Sequence, residues 1–318
     1  MDEGGGYQIS YIWRISSARQ PCSMSSLCSN CRWLQAGLPL VLLAALLATS
    51  PARSETSSPG PAAESQEPAP AAAKEAPRPG GVRPADQPGF YARLGAGVDW
   101  PDGSRYSDSN CASTQPPALF GCVNGNDGRR LGAYGDFDAT PVLDAAMGYR
   151  VNAWVRAEAL LSWRPDMDFS GNSNFLGAGA NEPVSGSVSS VAGFGVAYVD
   201  LPRIGKVRPF LGAGLGVARN RMGAMTYAFP TLSATATTTT PGGSSSELAY
   251  LLTAGISVPL GDRLDLDLAY RYTDLGKVQT DAGQATVVRS SGTRSLAIGG
   301  TNADLQSHGV MLSLRYAF

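Results

Sequence analysis

Gly309-Val-Met-Leu-Ser-Leu-Arg-Tyr-Ala-Phe318 is the stretch of sequence that decides the fold. It alternates with a period of two, and one face of the predicted strand carries only large apolar residues: Val310, Leu312, Leu314, Tyr316 and Phe318. Chain termini are usually frayed and polar, so an aromatic final residue is unusual in a water-soluble protein. A last strand that closes a barrel in lipid accounts for this pattern, because no strand edge can stay unpaired in hydrocarbon.

The same two-residue period recurs in seven earlier segments between Phe90 and Tyr272. A period of two indicates strands rather than helices. Each segment has one face without charge, while the opposite faces collect charges of both signs: Arg93, Asp144, Arg150, Arg156, Glu158, Arg164, Glu247, Asp265, Asp267, Arg271 and Arg315. We expect these side chains to face inward and to form a network of ion pairs and hydrogen bonds in a narrow, filled lumen.

Alternation alone does not separate a soluble barrel or sandwich from a membrane barrel, and three further features favour the membrane. The connections between segments alternate between long and short, as in up-and-down outer-membrane barrels. The charged faces are too rich for a dry core, where unpaired charge is very costly. Aromatic residues lie at segment ends, as interfacial girdles do: Phe90, Tyr149, Tyr198, Tyr316 and Phe318 on the short-turn side, and Trp163, Tyr270 and Tyr272 on the long-loop side.

The sequence therefore predicts an all-β fold, an eight-stranded antiparallel up-and-down transmembrane β-barrel. Spanning strands of about 9–11 residues are expected, which is the length that a tilted strand needs to cross a bilayer. In the fourth segment, the same reasoning assigns the lipid-facing apolar residues to Ala192, Phe194, Val196 and Tyr198.

The sequence of the N-terminal part, residues 1–88, indicates that the protein is exported across the inner membrane. An apolar run over residues 36–48 is too short to span a bilayer and follows basic residues, which is typical of a secretory signal peptide. We expect a signal region over residues 1–52, with a true start at Met24 as an option, and a retained membrane anchor as the alternative reading. Residues 53–88, rich in Pro and Ala, predict a disordered periplasmic linker. Residues 89–318 form the predicted barrel.

Composition excludes several functional classes. The 318 residues carry 25 Lys and Arg against 26 Asp and Glu, a formal net charge of -1 that gives no support to nucleic-acid binding. The single histidine, His308, is placed by parity on the lipid-facing side near the outer rim. With so little acid–base chemistry available, we expect no catalytic site, no cofactor and no metal site, and hence no enzyme.

Five cysteines divide into two groups. Cys22, Cys28 and Cys31 lie in or before the signal sequence and are expected to be removed with it. Cys111 and Cys122 remain in one polar loop. Two cysteines in an exported chain favour a disulfide, whereas metal binding by this pair lacks further ligands nearby.

The barrel residues resemble the small OmpA-like, opacity-type outer-membrane proteins common in alphaproteobacteria. The resemblance covers residues 89–318, and its most specific stretches are Asp267-Leu-Ala-Tyr-Arg-Tyr-Thr-Asp-Leu-Gly276 and Leu314-Arg-Tyr-Ala-Phe318. It implies the Gram-negative outer membrane and a terminal strand read by the barrel-assembly machinery. Carried over to this sequence, the candidate recognition positions are Gly309, Leu314, Tyr316 and Phe318.

Two functional readings remain open at the level of sequence. The first is a structural surface protein that contributes to envelope integrity and presents long loops for adhesion or recognition, since loops on rigid scaffolds carry recognition. The expected partners are outer-membrane lipid and lipopolysaccharide, the assembly machinery, and a host or surface ligand bound by the loops. The alternative is a narrow porin-like passive channel, because glycines on the lumen face leave space inside. Loops that bind nothing specific are the third possibility.

Overall fold

The structure is a computed structural model that describes residues 83–179 and 182–318. The predicted signal region and most of the predicted linker lie outside these residues. The strands, in chain order, are β1 (Gly89–Pro101), β2 (Ser104–Asp108), β3 (Ala133–Phe137), β4 (Thr140–Arg150), β5 (Val155–Ser173), β6 (Pro183–Asp200), β7 (Arg208–Met222), β8 (Met225–Ala228), β9 (Thr237–Thr240), β10 (Gly243–Pro259), β11 (Leu264–Gln279), β12 (Gly283–Arg289), β13 (Gly292–Ile298) and β14 (Thr301–Ala317).

Eight of these strands close into a ring of antiparallel neighbours, in the order β1, β4, β5, β6, β7, β10, β11 and β14. The seam joins the last strand to the first, with Leu314 opposite Leu94 and Ala317 opposite Tyr91. The eight-stranded barrel that the sequence predicts is therefore confirmed. Within residues 83–179 and 182–318, no helix has the length and apolar character to cross a membrane.

The two faces of the barrel wall differ as the sequence predicts. Outward side chains are apolar and open, with Leu215 at 76% and Leu248 at 85% exposure, while the inward Arg164 is fully buried. The apolar face lies toward lipid and the polar face lines the lumen, the arrangement of a transmembrane barrel.

The fourth segment corrects the sequence prediction. Phe194, Val196 and Tyr198 on β6 point into the lumen, and Gly193 and its outward neighbours face lipid. Neither face of this segment carries a charge. The prediction therefore assigned the face with the larger apolar residues to lipid, and this assignment was wrong. Asp200, two residues beyond Tyr198 and on the same face, is buried in the lumen and marks the true parity. Tyr198 is accordingly a lumen residue and not a member of the aromatic girdle.

Seven of the eight barrel strands are longer than the predicted 9–11 residues. The shortest, β4, has 11 residues and the longest, β5, has 19. Most of the residues expected in long loops are paired strand instead, including the β2–β3 hairpin, which joins β14 on one side and β5 on the other. Ladder pairing continues beyond the hydrocarbon because the outer extension encloses an apolar core of its own.

The short connections β4–β5, β6–β7 and β10–β11 lie at the same end as the C-terminus, which identifies this end as periplasmic. Aromatic pairs mark the interface here. Phe90 and Tyr149 meet edge to face at 4.9 Å between ring centroids, and Tyr316 and Phe318 do so at 5.9 Å.

Residues 83–88, the end of the predicted linker, pack against the periplasmic end of the barrel. A single 3₁₀ turn, Pro84–Asp86, buries Ala85 and donates the Ala85 amide to the carbonyl of Asp262 at 3.1 Å. Asp86 pairs with Arg203 at 2.6 Å and with Arg208 at 2.8 Å. The turn therefore ties the chain entering β1 to two periplasmic connections.

Candidate functional site

The lumen within the hydrocarbon region is filled by buried charges in balanced number. Six arginines face six carboxylates, which are Arg93, Arg150, Arg156, Arg164, Arg271 and Arg315 against Asp99, Asp144, Glu158, Asp200, Asp265 and Asp267. Buried charges are tolerated when they are paired, and each of these twelve side chains has an ion-pair partner. Five of their buried polar atoms lack a hydrogen bond among the described residues: Asp99 Oδ1, Asp144 Oδ1, Arg150 Nη2, Arg156 Nη2 and Arg271 Nε.

A continuous chain of pairs runs from the outer part of the lumen toward its periplasmic part. It links, in order, Arg164, Asp99, Arg271, Asp144, Arg93 and Glu158. The tightest contacts are Arg93 to Glu158 at 2.5 Å and Arg164 to Asp99 at 2.7 Å. Each link joins different strands, so the network ties opposite walls of the barrel together.

Two further groups occupy the periplasmic part of the lumen. Asp200 accepts from Arg150 at 2.7 Å and from Arg156 at 3.0 Å. Arg315 contacts Asp267 at 3.0 Å and Asp265 at 3.1 Å. Every member is at least nine-tenths buried, so losing one partner would leave a charge in a medium that solvates it poorly.

Two tyrosines lie between the end of this chain of pairs and the periplasmic groups. Tyr91 and Tyr198 both donate to Glu158, at 3.2 Å and 3.3 Å. The ring of Tyr198 lies 4.1 Å from the guanidinium carbon of Arg156, within the range of a cation–π contact. Neither tyrosine belongs to the charge network that the sequence predicts.

The predicted network and the observed one differ at their edges. Glu247 forms no ion pair among the described residues; it accepts a hydrogen bond from Gln279 at 3.0 Å near the outer end of β10. Asp99 and Asp200 were missed, and both are central to the pairs described above. Each lies near the end of its strand, an even number of residues from the other lumen-facing residues of that strand. Continuing the alternation by one or more steps would have identified both as lumen residues.

Little free volume remains among these side chains. A lumen cavity of about 20 Å³ is bordered by residues that include Arg93, Asp144 and Arg156. A single water needs about 10–15 Å³. The lumen is therefore packed at this level rather than open.

The outer half of the molecule encloses an apolar core, the reverse of the polar lumen below it. Its members are buried residues from the extended strands and their hairpins: Tyr106, Phe120, Leu131, Phe137, Met167, Phe169, Val184, Val188, Met222, Met225, Tyr227, Phe229, Leu275, Val278 and Leu305. Tyr106 and Phe169 meet edge to face at 4.9 Å, and Phe120 stacks on Phe175 at 5.3 Å. Burial raises the pKa of the Tyr106 and Tyr227 phenols, which stay protonated.

The loop between β2 and β3 is held in place by a disulfide and a carboxylate. Cys111 and Cys122 are bonded, with their Cα atoms 4.9 Å apart, which confirms the predicted disulfide. Asp108 accepts from the backbone amides of Leu119, Phe120 and Gly121 at 2.7–2.9 Å. Together they place Phe120 in the outer core.

The same loop is tied to the β5–β6 connection by side-chain amides. Asn126 donates to the carbonyl of Phe175 at 2.6 Å, and Asn174 donates to Asp127 at 2.7 Å. The hydrogen bond from Asn174, with those from Arg129, lowers the pKa of Asp127 to about 2. These hydrogen bonds hold the β2–β3 loop against the described part of the β5–β6 connection.

The β12–β13 hairpin offers the exposed edge of this outer surface. Strand β13 pairs only with β12, and it ends the sheet. Its first six residues, 292–297, are all exposed, with Leu296 at 52%. An exposed edge strand presents unpaired backbone groups that can pair with another chain.

The remaining predicted residues lie where parity placed them. His308 is half-exposed on the outer face of β14, where Nδ1 contacts the Tyr270 hydroxyl at 2.5 Å and Nε2 lies 3.5 Å from Asp102. Of the predicted assembly positions, Leu314, Tyr316 and Phe318 face outward. Gly309 instead faces the lumen, and a Cβ there would collide with the Asp99 carboxylate, so a larger residue would have to displace this ion-paired side chain.

The closed ring, the apolar outer wall and the paired charges inside define an outer-membrane β-barrel protein. Residues 68–318 match the outer membrane protein beta-barrel domain family, and the chain belongs to this family. The protein is thus a component of the Gram-negative outer membrane. The family resemblance expected from the sequence is confirmed.

The match to individual curated relatives covers a smaller part of the chain than the match to the family. The chain is 35% identical over 127 residues to uncharacterized proteins of Brucella abortus, Brucella suis and Brucella melitensis, over 38% of this chain and 45% of theirs. The chain thus spans less than half the length of these curated relatives.

Solved structures with a similar fold include OprG from Pseudomonas aeruginosa, at 13% identity and a TM-score of 0.42, covering 74% of this chain and 99% of that one. Neisserial surface protein A has 17% identity and a TM-score of 0.30, covering 72% and 97%. The attachment invasion locus protein Ail of Yersinia pestis has 12% identity and a TM-score of 0.32, covering 72% and 99%.

Proposed function

We propose that this protein is a structural and recognition component of the outer membrane, which supports envelope integrity and presents a rigid outer surface for adhesion. The observation that carries the proposal is the folded outer half. Its apolar core, disulfide and inter-loop hydrogen bonds hold the β2–β3 loop against the β5–β6 connection. A preorganised surface loses little conformational entropy on binding, which is what a recognition surface requires.

The exposed edge of β13 is the part of this surface best suited to a protein partner. An extended peptide can add a strand to a free sheet edge, where backbone hydrogen bonds give affinity and side-chain positions give specificity. Arg294 and Leu296 lie on the exposed edge strand and supply one charged and one apolar contact. The partner class that fits is an extended segment of a host or surface protein.

Replacing residues 284–297 by a short Gly-Ser turn tests this role. The exchange removes the hairpin and leaves the eight barrel strands intact. We expect cells that display the variant to adhere several-fold less than cells with the parent protein, at equal surface level. A matched control replaces Ser233 and Thr235, which lie in the exposed β8–β9 turn, by alanine. Equal adhesion by variant and parent would contradict the recognition role.

A narrow passive channel is the alternative, and it receives less support. The lumen is polar, yet paired side chains fill it and the apolar outer core lies above it. An ion crossing this core would lose its hydration without compensating ligands. Planar-bilayer recordings of the purified protein are expected to stay at background current, and steady single-channel steps would favour the channel instead.

We also propose that the protein has no catalytic role. His308, the one imidazole in the chain, lies on the outer wall beside Tyr270 rather than among the lumen carboxylates. The acidic lumen residues are held by arginines and serve as structural ion pairs.

A further inference from the structure

An apolar groove crosses the lipid-facing wall at β5, β6 and β7. Its floor is made of small outward residues, namely Ala157, Ala159, Gly195, Ala197 and Ala213. Larger side chains border it, with Met147 and Tyr149 on one side and Leu215 and Tyr250 on the other. The groove has a volume of about 860 Å³. A Cβ added at the neighbouring Gly193 meets open space, so the depression comes from missing side chains and not from a gap in the wall.

Charges of opposite sign flank this groove on its outer side. On β7, the exposed Arg219 and Arg221 follow Val217, the last apolar outward residue of the strand. On β5, the exposed Asp166 and Asp168 follow Trp163 in the same way. None of these four residues forms an ion pair within the described part of the chain.

The acidic flank extends to the neighbouring strand. Asp136 of β3 and the adjacent Asp138 are also exposed, and β3 pairs with β5 through Phe137 opposite Phe169. Like charges gathered on one side without a cation repel each other, so this flank is suited to a cationic partner. Strand β6 lies between the acidic and the basic flank. Beside Arg221 it carries Ser187 and Ser189, which are uncharged.

We propose that this face binds a second copy of the same chain. A two-fold axis that runs parallel to the barrel and passes in front of β6 places β5 of each copy opposite β7 of the other. The acidic flank then meets the basic flank twice, once on each side of the axis. The groove floors face each other across the axis, as an isologous interface requires. This proposal does not depend on the adhesion role.

The groove and the flanking charges are expected to contribute differently to the dimer, because part of the interface lies in lipid. In lipid, association rests on close packing and polar contacts rather than on hydrophobic burial, and small residues allow close approach. The flanking charges are partly solvated, so each pair is weak alone and acts mainly to fix orientation and partner choice. Both features are needed for a specific dimer.

Photo-crosslinking in the outer membrane of living cells tests the interface directly. The full chain carries p-benzoylphenylalanine at Gly195, in the groove, or at Ala96, an outward residue of β1 remote from it. We expect a covalent species of twice the monomer mass from the Gly195 position, containing peptides of this chain only. The Ala96 position is expected to remain monomeric. No protein adduct at Gly195, or an adduct with a different protein, would overturn the proposal.

Filling the groove provides a second, independent test. The variant with Gly195→Leu in the groove and Gly193→Leu beside it keeps an apolar surface that is compatible with lipid, and a Cβ at either position meets no atom closer than 4.0 Å. We expect the dimer fraction in lipid nanodiscs to fall at least ten-fold, while the heat-modifiable gel shift of the folded barrel is retained. Ala96→Leu is the matched control and should leave the dimer unchanged. An unchanged dimer in the filled variant argues for another contact face.

Charge reversal tests orientation. Arg219→Glu with Arg221→Glu, and separately Asp166→Arg with Asp168→Arg, should each reduce the dimer several-fold. Mixing the two variants, so that one copy carries four carboxylates and the other four cations at these positions, should restore the hetero-pair. Failure of this restoration, or loss of the dimer on adding EDTA, would indicate lipid or divalent cations as the occupants and would overturn the pairing.

Discussion

At the residue scale, the lumen shows how a narrow membrane barrel tolerates charge. Asp200 illustrates it, since one carboxylate serves Arg150 and Arg156 from a buried position. A fully buried guanidinium without a partner is destabilising, so each cation depends on its neighbour. The sequence predicted that the charged side chains of the inward faces form ion pairs, because charges of both signs in a filled lumen are close to one another and are shielded from water. It could not predict which pairs form, since pairing depends on register between strands.

Asp200→Asn is expected to destabilise the barrel by about 3–5 kcal/mol, because it leaves two buried arginines without their counter-charge. Urea unfolding in lipid vesicles, followed by tryptophan fluorescence, measures the free energy of unfolding. Asp262→Asn, at an exposed position in the β10–β11 turn, is the control and should change little. A decrease of less than about 1 kcal/mol in the free energy of unfolding for Asp200→Asn would show that the Asp200 ion pairs contribute little to the stability of the barrel.

Deleting Phe318 is expected to impair assembly more than any single loop substitution. The residue lies at the seam, where its amide donates to the carbonyl of Phe90 at 3.1 Å and its ring faces lipid at 64% exposure. The measurement is the outer-membrane level of each variant relative to total protein. Leu296→Ala in the outer hairpin is the comparison. Equal levels for both variants would show that the terminal aromatic residue is dispensable for recognition by the assembly machinery.

At the scale of elements, the main departure from the sequence prediction is the length of the strands. Alternation, which defines spanning segments, weakens beyond the hydrocarbon because both faces there become partly polar or glycine-rich. Asn172 and Gly171 on β5 continue its ladder without an apolar outward face. The β2–β3 and β8–β9 hairpins were missed because their strands have only 4–5 residues, which is too short for alternation to be recognised.

Removing the disulfide by Cys111→Ser with Cys122→Ser is expected to loosen the β2–β3 loop without unfolding the barrel. Closing a loop of this size, with a sequence separation of 11, stabilises by about 3 kcal/mol in the chain-entropy model. Trypsin cleavage after the exposed Arg129 and Arg130 should accelerate several-fold. Cleavage after Arg294 in the β12–β13 hairpin serves as an internal reference. Parallel acceleration at both places would mean that the disulfide affects the whole outer half.

At the scale of the molecule, two layers with opposite interiors share one set of strands. The polar lumen and the apolar outer core both lie inside the ring, and β5 runs from Val155 to Ser173 through both, with a shift of its register against β6 between Arg164 and Met167. Unfolding of either layer must break ladders that continue into the other. We therefore expect the two layers to unfold as one cooperative unit, although their cores differ in chemistry.

Leu305→Ala tests this coupling from the outer layer. Leu305 lies on β14 and is fully buried in the outer core, while the paired charges of the same strand lie further along at Arg315. Truncation of a buried leucine costs about 2–5 kcal/mol through lost burial and the cavity it leaves. Because β14 spans both layers, the single unfolding transition should shift as a whole. Combined with Asp200→Asn, the losses should add, since the two sites share no partners. A separate early transition, seen in the outer half alone by hydrogen exchange, would show instead that the outer core opens independently of the barrel.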